Sequence, residues 1–113
     1  MRDESSRIAR AFLARKRCKR ARTYTDGIAV YLHGNRIAWW DERGDLNLTL
    51  AGWGTATTRE RLNTICMLLM DQRPFHQKKH TQFFNDNKID TRQIITIHQL
   101  TITPMDEWLA AAE

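Results

Sequence analysis

The stretch Leu46 to Leu69, LNLTLAGWGTATTRERLNTICMLL, constrains this chain more than any other. Leu46, Leu48 and Leu50 alternate with Asn47 and Thr49, the two-residue period of a half-buried strand. Gly52-Trp53-Gly54 breaks that period. Thr57 with Glu60 three residues later has the form of a capping box, which satisfies backbone N–H groups left free in a first helical turn. Leu62, Ile65, Cys66 and Leu69 then recur at helical spacing, so one stripe of this helix is expected on the leucine face of the strand.

Around this unit the sequence predicts an α+β domain with an antiparallel sheet. Ile28, Val30 and Leu32 alternate along a first strand, His33-Gly34-Asn35 turns the chain, and Arg36 to Asp41 returns it. With the strand from Leu46 these make a three-stranded meander. Its expected inner face is Ile28, Val30, Leu32, Ile37, Trp39, Leu46, Leu48 and Leu50. Trp40 then falls on the outer face with Tyr31 and Arg36, because successive strand side chains point to opposite sides. Cover by Phe12 and Leu13 of a preceding helix is the expectation for Trp40, with stacking on a base or on a partner as the alternative. Trp53 is expected to pin its loop against the core.

After Asp71-Gln72-Arg73-Pro74, Phe75 to Phe84 reads as a strand. Asn85-Asp86-Asn87 turns it into Lys88-Ile89, and a further strand spans Gln93 to Leu100. Thr103-Pro104 opens a short C-terminal helix, Pro104 to Ala111, with Met105, Trp108 and Leu109 as its stripe.

Charge divides the chain sharply. Residues 1–22 hold nine Lys or Arg against Asp3 and Glu4, a net +7, which leaves −2 for residues 23–113. Two units are therefore expected, a basic N-terminal helix or arm over residues 1–22 and a single α+β domain over 23–113. Ser5-Ser6 can cap the helix, and Ile8, Ala9, Phe12 and Leu13 lie on one side of it. Arg15, Lys16, Arg17, Lys19, Arg20 and Arg22 follow with no acidic residue among them. One reading is a nucleic-acid contact through phosphates, DNA or RNA, extended by Lys78 and Lys79, with Trp40 or Tyr31 stacking on bases. The other is a solvated face that aids solubility or meets the acidic body.

Few residues suggest chemistry. Gly52-Trp53-Gly54 lacks both glycine-rich phosphate-binding patterns, although Thr58 and Arg59 at the helix start form a weak anion-binding candidate. His76 and His80 have metal-ligand spacing only on a helix. On one strand they would lie about 13 Å apart, so no metal is assigned. His33, Asp41, Glu42 and Asp45 read as turn residues at opposite ends of one strand, Cys66 as a core residue, and His98 as a strand histidine. No nucleophile and base pair up, which points to a non-enzymatic protein without a cofactor. Cys18 and Cys66 have no C-x-x-C spacing and no disulfide is expected. The absence of a long apolar run argues against a membrane span and for the cytoplasm; a homo-oligomer stays open.

Tyr31-Leu32-His33-Gly34-Asn35-Arg36-Ile37-Ala38, Ala51-Gly52-Trp53, Thr57-Thr58-Arg59 with Arg61-Leu62-Asn63, and Gln77-Lys78-Lys79 give the chain a resemblance. Over roughly Tyr24 to Leu100 it resembles a group of short uncharacterised proteins of tailed bacteriophages. The resemblance implies a setting in the cytoplasm of an infected bacterium. It also implies a small protein that binds nucleic acid or inhibits a host enzyme; the alternative reading is an anti-defence or host-takeover inhibitor that binds a host protein, or a signalling nucleotide at the Thr58-Arg59 helix end.

Overall fold

The computed structural model describes residues 3–98. Within them lie helices α1 (Asp3–Leu13) and α2 (Ala56–Met70) and nine strands. Strands β1 (Cys18–Arg20), β2 (Thr23–Thr25), β3 (Ala29–Leu32), β4 (Asn35–Trp40), β5 (Leu46–Leu48) and β9 (Ile95–Ile97) form one antiparallel sheet in the order β1-β2-β3-β4-β5-β9. Strands β6 (Phe75–Lys78), β7 (Thr81–Phe84) and β8 (Asn87–Ile89) form a second, smaller antiparallel sheet. This is the α+β class read from the sequence. The C-terminal helix expected at Pro104 to Ala111 lies outside the described residues, as does the end of the strand expected over Gln93 to Leu100.

The expected meander is β3-β4-β5, and its hairpin turn, His33-Gly34, has φ of 51° and 80°. Two residues of positive φ match the right-handed twist of the strands they join. Val30, Leu32, Ile37, Leu46, Leu48 and Leu50 are buried as expected, against Ile8, Phe12 and Leu13 of α1 and Leu62, Ile65 and Cys66 of α2. Both helices therefore cover one face of the larger sheet. Ile28 is a correction, since it is 62% exposed. It precedes β3 in a turn where the Asp26 carboxylate accepts from the Ile28 and Ala29 N–H groups. Gly27, at φ 92°, has no room for a side chain, because a Cβ would stand 2.6 Å from the Arg15 carbonyl oxygen.

Several boundaries shift for local reasons. The α2 cap is Thr55 and not Thr57, its hydroxyl accepting from the Thr58 N–H at 3.2 Å. Glu60 is thereby released from capping and serves α1 instead. The segment Phe75 to Phe84 is a hairpin, because Lys79 and His80 adopt φ of 50° and 67° and turn the chain. Asn63 of α2 holds this hairpin to the body. Its side-chain amide donates to the Phe75 carbonyl and accepts from the Phe75 N–H, both at 2.8 Å, as a neighbouring strand would.

The N-terminal segment is part of the body, not a projecting arm. Ile8, Ala9, Phe12 and Leu13 are buried, and β1 pairs with β2 across the division expected at residue 22. Ser5, expected to cap, lies inside α1 and is buried. It joins a network centred on the buried Arg61, which donates to Thr23 Oγ1 (3.0 Å), Ser5 Oγ (2.5 Å), Glu60 Oε1 (2.9 Å) and Glu4 Oε2 (3.3 Å). One guanidinium so ties α2 to α1 and to β2.

A buried charge stripped of its partner is costly, whereas an exposed ion pair contributes little. Arg61→Ala, which removes the guanidinium shared by Thr23, Ser5, Glu60 and Glu4 and leaves Ser5 Oγ still donating to Glu60 Oε1, is expected to lower unfolding stability by about 3 kcal/mol. Glu4→Ala, at a half-exposed carboxylate, is expected to cost under about 1 kcal/mol. Urea midpoints for the two variants check this, and equal losses would remove Arg61 from its central position.

Candidate nucleic-acid interface

The basic run begins where α1 stops. Lys16 N–H reaches the Ala11 carbonyl and Arg15 N–H the Phe12 carbonyl, the paired bonds of a helix C-terminal motif whose hinge residue is normally glycine. Here Arg15 occupies the hinge, at φ 61°. Its guanidinium lies 4.0 Å from the centre of the Trp40 ring, and burial lowers its pKa from the ordinary arginine value. Lys16 and Arg17 are exposed in the following turn, and Lys19 and Arg20 sit on the edge strand β1. Ala21, at φ 53°, and the exposed Arg22 turn β1 into β2. None of Arg15, Lys16, Arg17, Lys19, Arg20 or Arg22 forms an ion pair with a carboxylate among the described residues.

A β-bulge decides which aromatics reach the sheet's uncovered face. Val30 pairs with Ala38 and Tyr31 with Arg36, which leaves Ile37 as the extra residue of β4. Side-chain alternation reverses there, and the expected assignment of the two tryptophans is overturned. Trp40 faces α1, stacked on Phe12 with ring centres 5.2 Å apart and planes at 19°. Its cover by the N-terminal helix is as expected, and with Phe12 and Arg15 against it Trp40 is withdrawn as a base-stacking residue. Trp39 takes the outer position, half-buried, with the Arg36 guanidinium 3.8 Å from its ring centre.

Across the outer face, register aligns one row of residues from four strands. Lys19 is opposite Tyr24, Tyr24 opposite Tyr31, and Tyr31 opposite Arg36. The two tyrosine rings stack with centres 6.1 Å apart. An open groove of about 610 Å³ runs beside them, lined by Lys19, Arg22, Tyr24, Tyr31, His33 and Asp26. Asp26 is the acidic member. Slight burial opposes its ionisation, yet N–H groups of Ala29, Ile28 and its own residue, with the charge of Arg17, hold its pKa below the ordinary value. The groove therefore combines cations, stacking surfaces and one carboxylate.

The other candidates lie elsewhere. Lys78 and Lys79 are exposed at the tip of the β6–β7 hairpin, in the smaller sheet, and are not part of the row. Thr58 is buried in the α2 cap, its hydroxyl 2.9 Å from that of Thr55. Arg59 donates to Gly54 O, Gln77 Oε1 and Gln82 Oε1, so its guanidinium braces the second sheet. His76 and His80 are on a strand and a turn; His76 stacks on Phe83 and donates through Nε2 to the Asn85 carbonyl. Asp41 accepts from the Asn47 amide and from the Arg43 and Asp45 N–H groups, bonds that lower its pKa, in keeping with a turn residue. Burial pushes the Cys66 thiol up to about 12, which leaves it unreactive at neutral pH. Both cysteines are free. His98, 77% exposed, lies 3.3 Å from the Asp45 carboxylate.

Tyr24 and Trp39 are the residues that sequence reasoning missed. Tyr24 is flanked by Thr23 and Thr25, both fully buried, and a strand with threonines on its inner face gives no hydrophobic alternation. No helix among the described residues is long and apolar enough to cross a membrane. A comparison with protein families matches residues 1–101 to the family described as Kyanoviridae Gp96 protein. No curated protein and no solved structure matches the chain.

Truncating a tryptophan stacked into the seat of a helix costs stability, whereas truncating one, also half-buried, that is covered by a surface side chain costs little. Trp40→Ala is expected to lose about 2–3 kcal/mol and Trp39→Ala under about 1 kcal/mol. Thermal unfolding of both variants checks the assignment. The reverse order would restore the unbulged register.

Proposed function

We propose that this chain, which belongs to the Kyanoviridae Gp96 protein family of bacteriophages, is a non-enzymatic module that binds single-stranded nucleic acid on the open face of its larger sheet. The row Lys19–Tyr24–Tyr31–Arg36, continued by Trp39, is the observation that carries this reading. Single strands are held by a positive track along the backbone and by aromatic faces on which successive bases stack. Here phosphates meet Lys16, Arg17, Lys19, Arg22 and Arg36, while bases meet Tyr24, Tyr31 and Trp39. Duplex offers no free base faces, so it engages only the charges. The infected bacterium's cytoplasm is the proposed place of action.

Exposed Ile28, in the turn before β3 where its carbonyl accepts from the Trp40 N–H, favours a second reading in which the partner is a host protein and the chain an inhibitor. A stoichiometric partner retained from host lysate after nuclease treatment would support that reading.

Fluorescence anisotropy with a labelled 30-mer tests the first. Binding is expected at low salt and to weaken steeply as salt rises, by about 0.7 in the log–log slope for each phosphate neutralised. Lys19→Ala and Arg22→Ala are each expected to reduce that slope, and Tyr31→Ala to weaken single-strand binding by about five- to 100-fold at unchanged slope. Deleting residues 1–22 is uninformative, since it removes core residues of α1. No binding of the intact chain at low salt would end the proposal.

A further inference from the structure

A second cavity opens at the far side of the β3–β4 turn. It is a cleft of about 400 Å³ between that hairpin and the start of α2, lined by Leu32, His33, Asn35, Ile37, Trp53 and Thr57. Trp53 was expected to pin its loop to the core and does not, being 55% exposed. Leu32 and Ile37 are buried and give the cleft an apolar floor. His33, Asn35 and Thr57 use no side-chain polar atom in a hydrogen bond among the described residues. An imidazole, an amide and a hydroxyl are thus left to face a ligand. The volume lies at the small end of the roughly 300–1,000 Å³ typical of small-molecule sites, where apolar walls hold the ligand and a few polar groups orient it.

We infer that this cleft takes one unpaired nucleobase of a bound single strand, stacked on Trp53 and met at its edge by Asn35, Thr57 and His33. The inference rests on the single-strand reading of the sheet face and deepens it. His33 supplies the continuity, because it lines both this cleft and the basic groove that holds Lys19, Arg22, Tyr24 and Tyr31. A strand tracking that groove reaches the cleft by passing over a single hairpin turn. Its base finds there what water does not provide, an indole face and an apolar floor with hydrogen-bonding groups at the rim.

The test compares a labelled single-stranded 15-mer with the duplex of the same sequence, using the full chain. Trp53→Ala is expected to weaken single-strand binding about five- to 100-fold and to leave duplex binding unchanged. Thr57→Phe, which fills the cleft from the helix side and leaves Trp53 in place, is expected to reproduce the loss, with thermal unfolding confirming that both variants are folded. If both variants bind the 15-mer like the intact chain while Tyr31→Ala binds weakly, the cleft inference is overturned and the sheet-face reading stands. If the intact chain binds no 15-mer, both fail. Adenosine 5′-monophosphate alone is expected to bind more weakly than the 15-mer; equal or tighter binding would reassign the cleft to a free nucleotide.

Discussion

One extra residue in β4 sets the character of both faces of this protein. Had β3 and β4 paired without interruption, Trp39 would have faced the helices and Trp40 the solvent. The bulge at Ile37 reverses the pleat for the rest of the strand. It lets Ile37 and Ala38 both be buried, delivers Trp40 to Phe12, and sends Trp39 outward beneath Arg36. A register change of this kind moves every later side chain to the other surface. The stability of α1 on the sheet and the identity of the outer aromatics therefore have a common origin.

The N-terminal helix is the second dependency. Its apolar stripe closes the core over β3 and β4, and Glu4 and Ser5 meet the buried guanidinium of Arg61. A buried arginine is tolerated only when its donors are engaged, and the partners come from α1, α2 and β2 together. The basic run that follows α1 is in consequence held at a fixed place. Arg15 is drawn back over Trp40, while Lys19 is locked opposite Tyr24 by the β1–β2 pairing. Charge that looks in the sequence like a loose leader is part of an edge strand.

Much of the architecture was legible where hydrophobic period and turn chemistry agree. Leu46 to Leu50, the His33-Gly34 turn, the α1 stripe and the Leu62–Ile65–Cys66 stripe all carry such signals, and each takes its expected place. What escaped reading lacked one of the two. The β6–β7 hairpin turns at Lys79-His80 with no glycine or asparagine to mark it, and α1 ends at Arg15 where glycine is usual. Strand β2 hides behind two buried threonines, of which Thr23 accepts from the distant Arg61 and Thr25 from the Gly27 N–H. The bulge is a property of two strands paired, so neither strand alone announces it. For the site, the basic residues were visible one by one, but their alignment with Tyr24, Tyr31 and Trp39 required the register.

The proposed single-strand complex requires that an outer-face contact made within the molecule be exchangeable for one with a base. Arg36 over Trp39 is a cation–π contact on a partly exposed ring, worth about 0.5–1 kcal/mol, whereas a base stacked on an aromatic side chain contributes about 1–3 kcal/mol. On the proposed single-strand reading, a base takes the ring from Arg36 at a net gain. In the proposed complex the displaced guanidinium keeps its charge beside the backbone of the bound strand, where a phosphate replaces the ring as its partner. Trp40 differs on this count. Its contacts with Phe12 and Arg15 belong to the packing that seats α1, so a base arriving there would have to displace part of the core. The two adjacent tryptophans are chemically alike, and what separates an exchangeable ring from a structural one is the element packed against each.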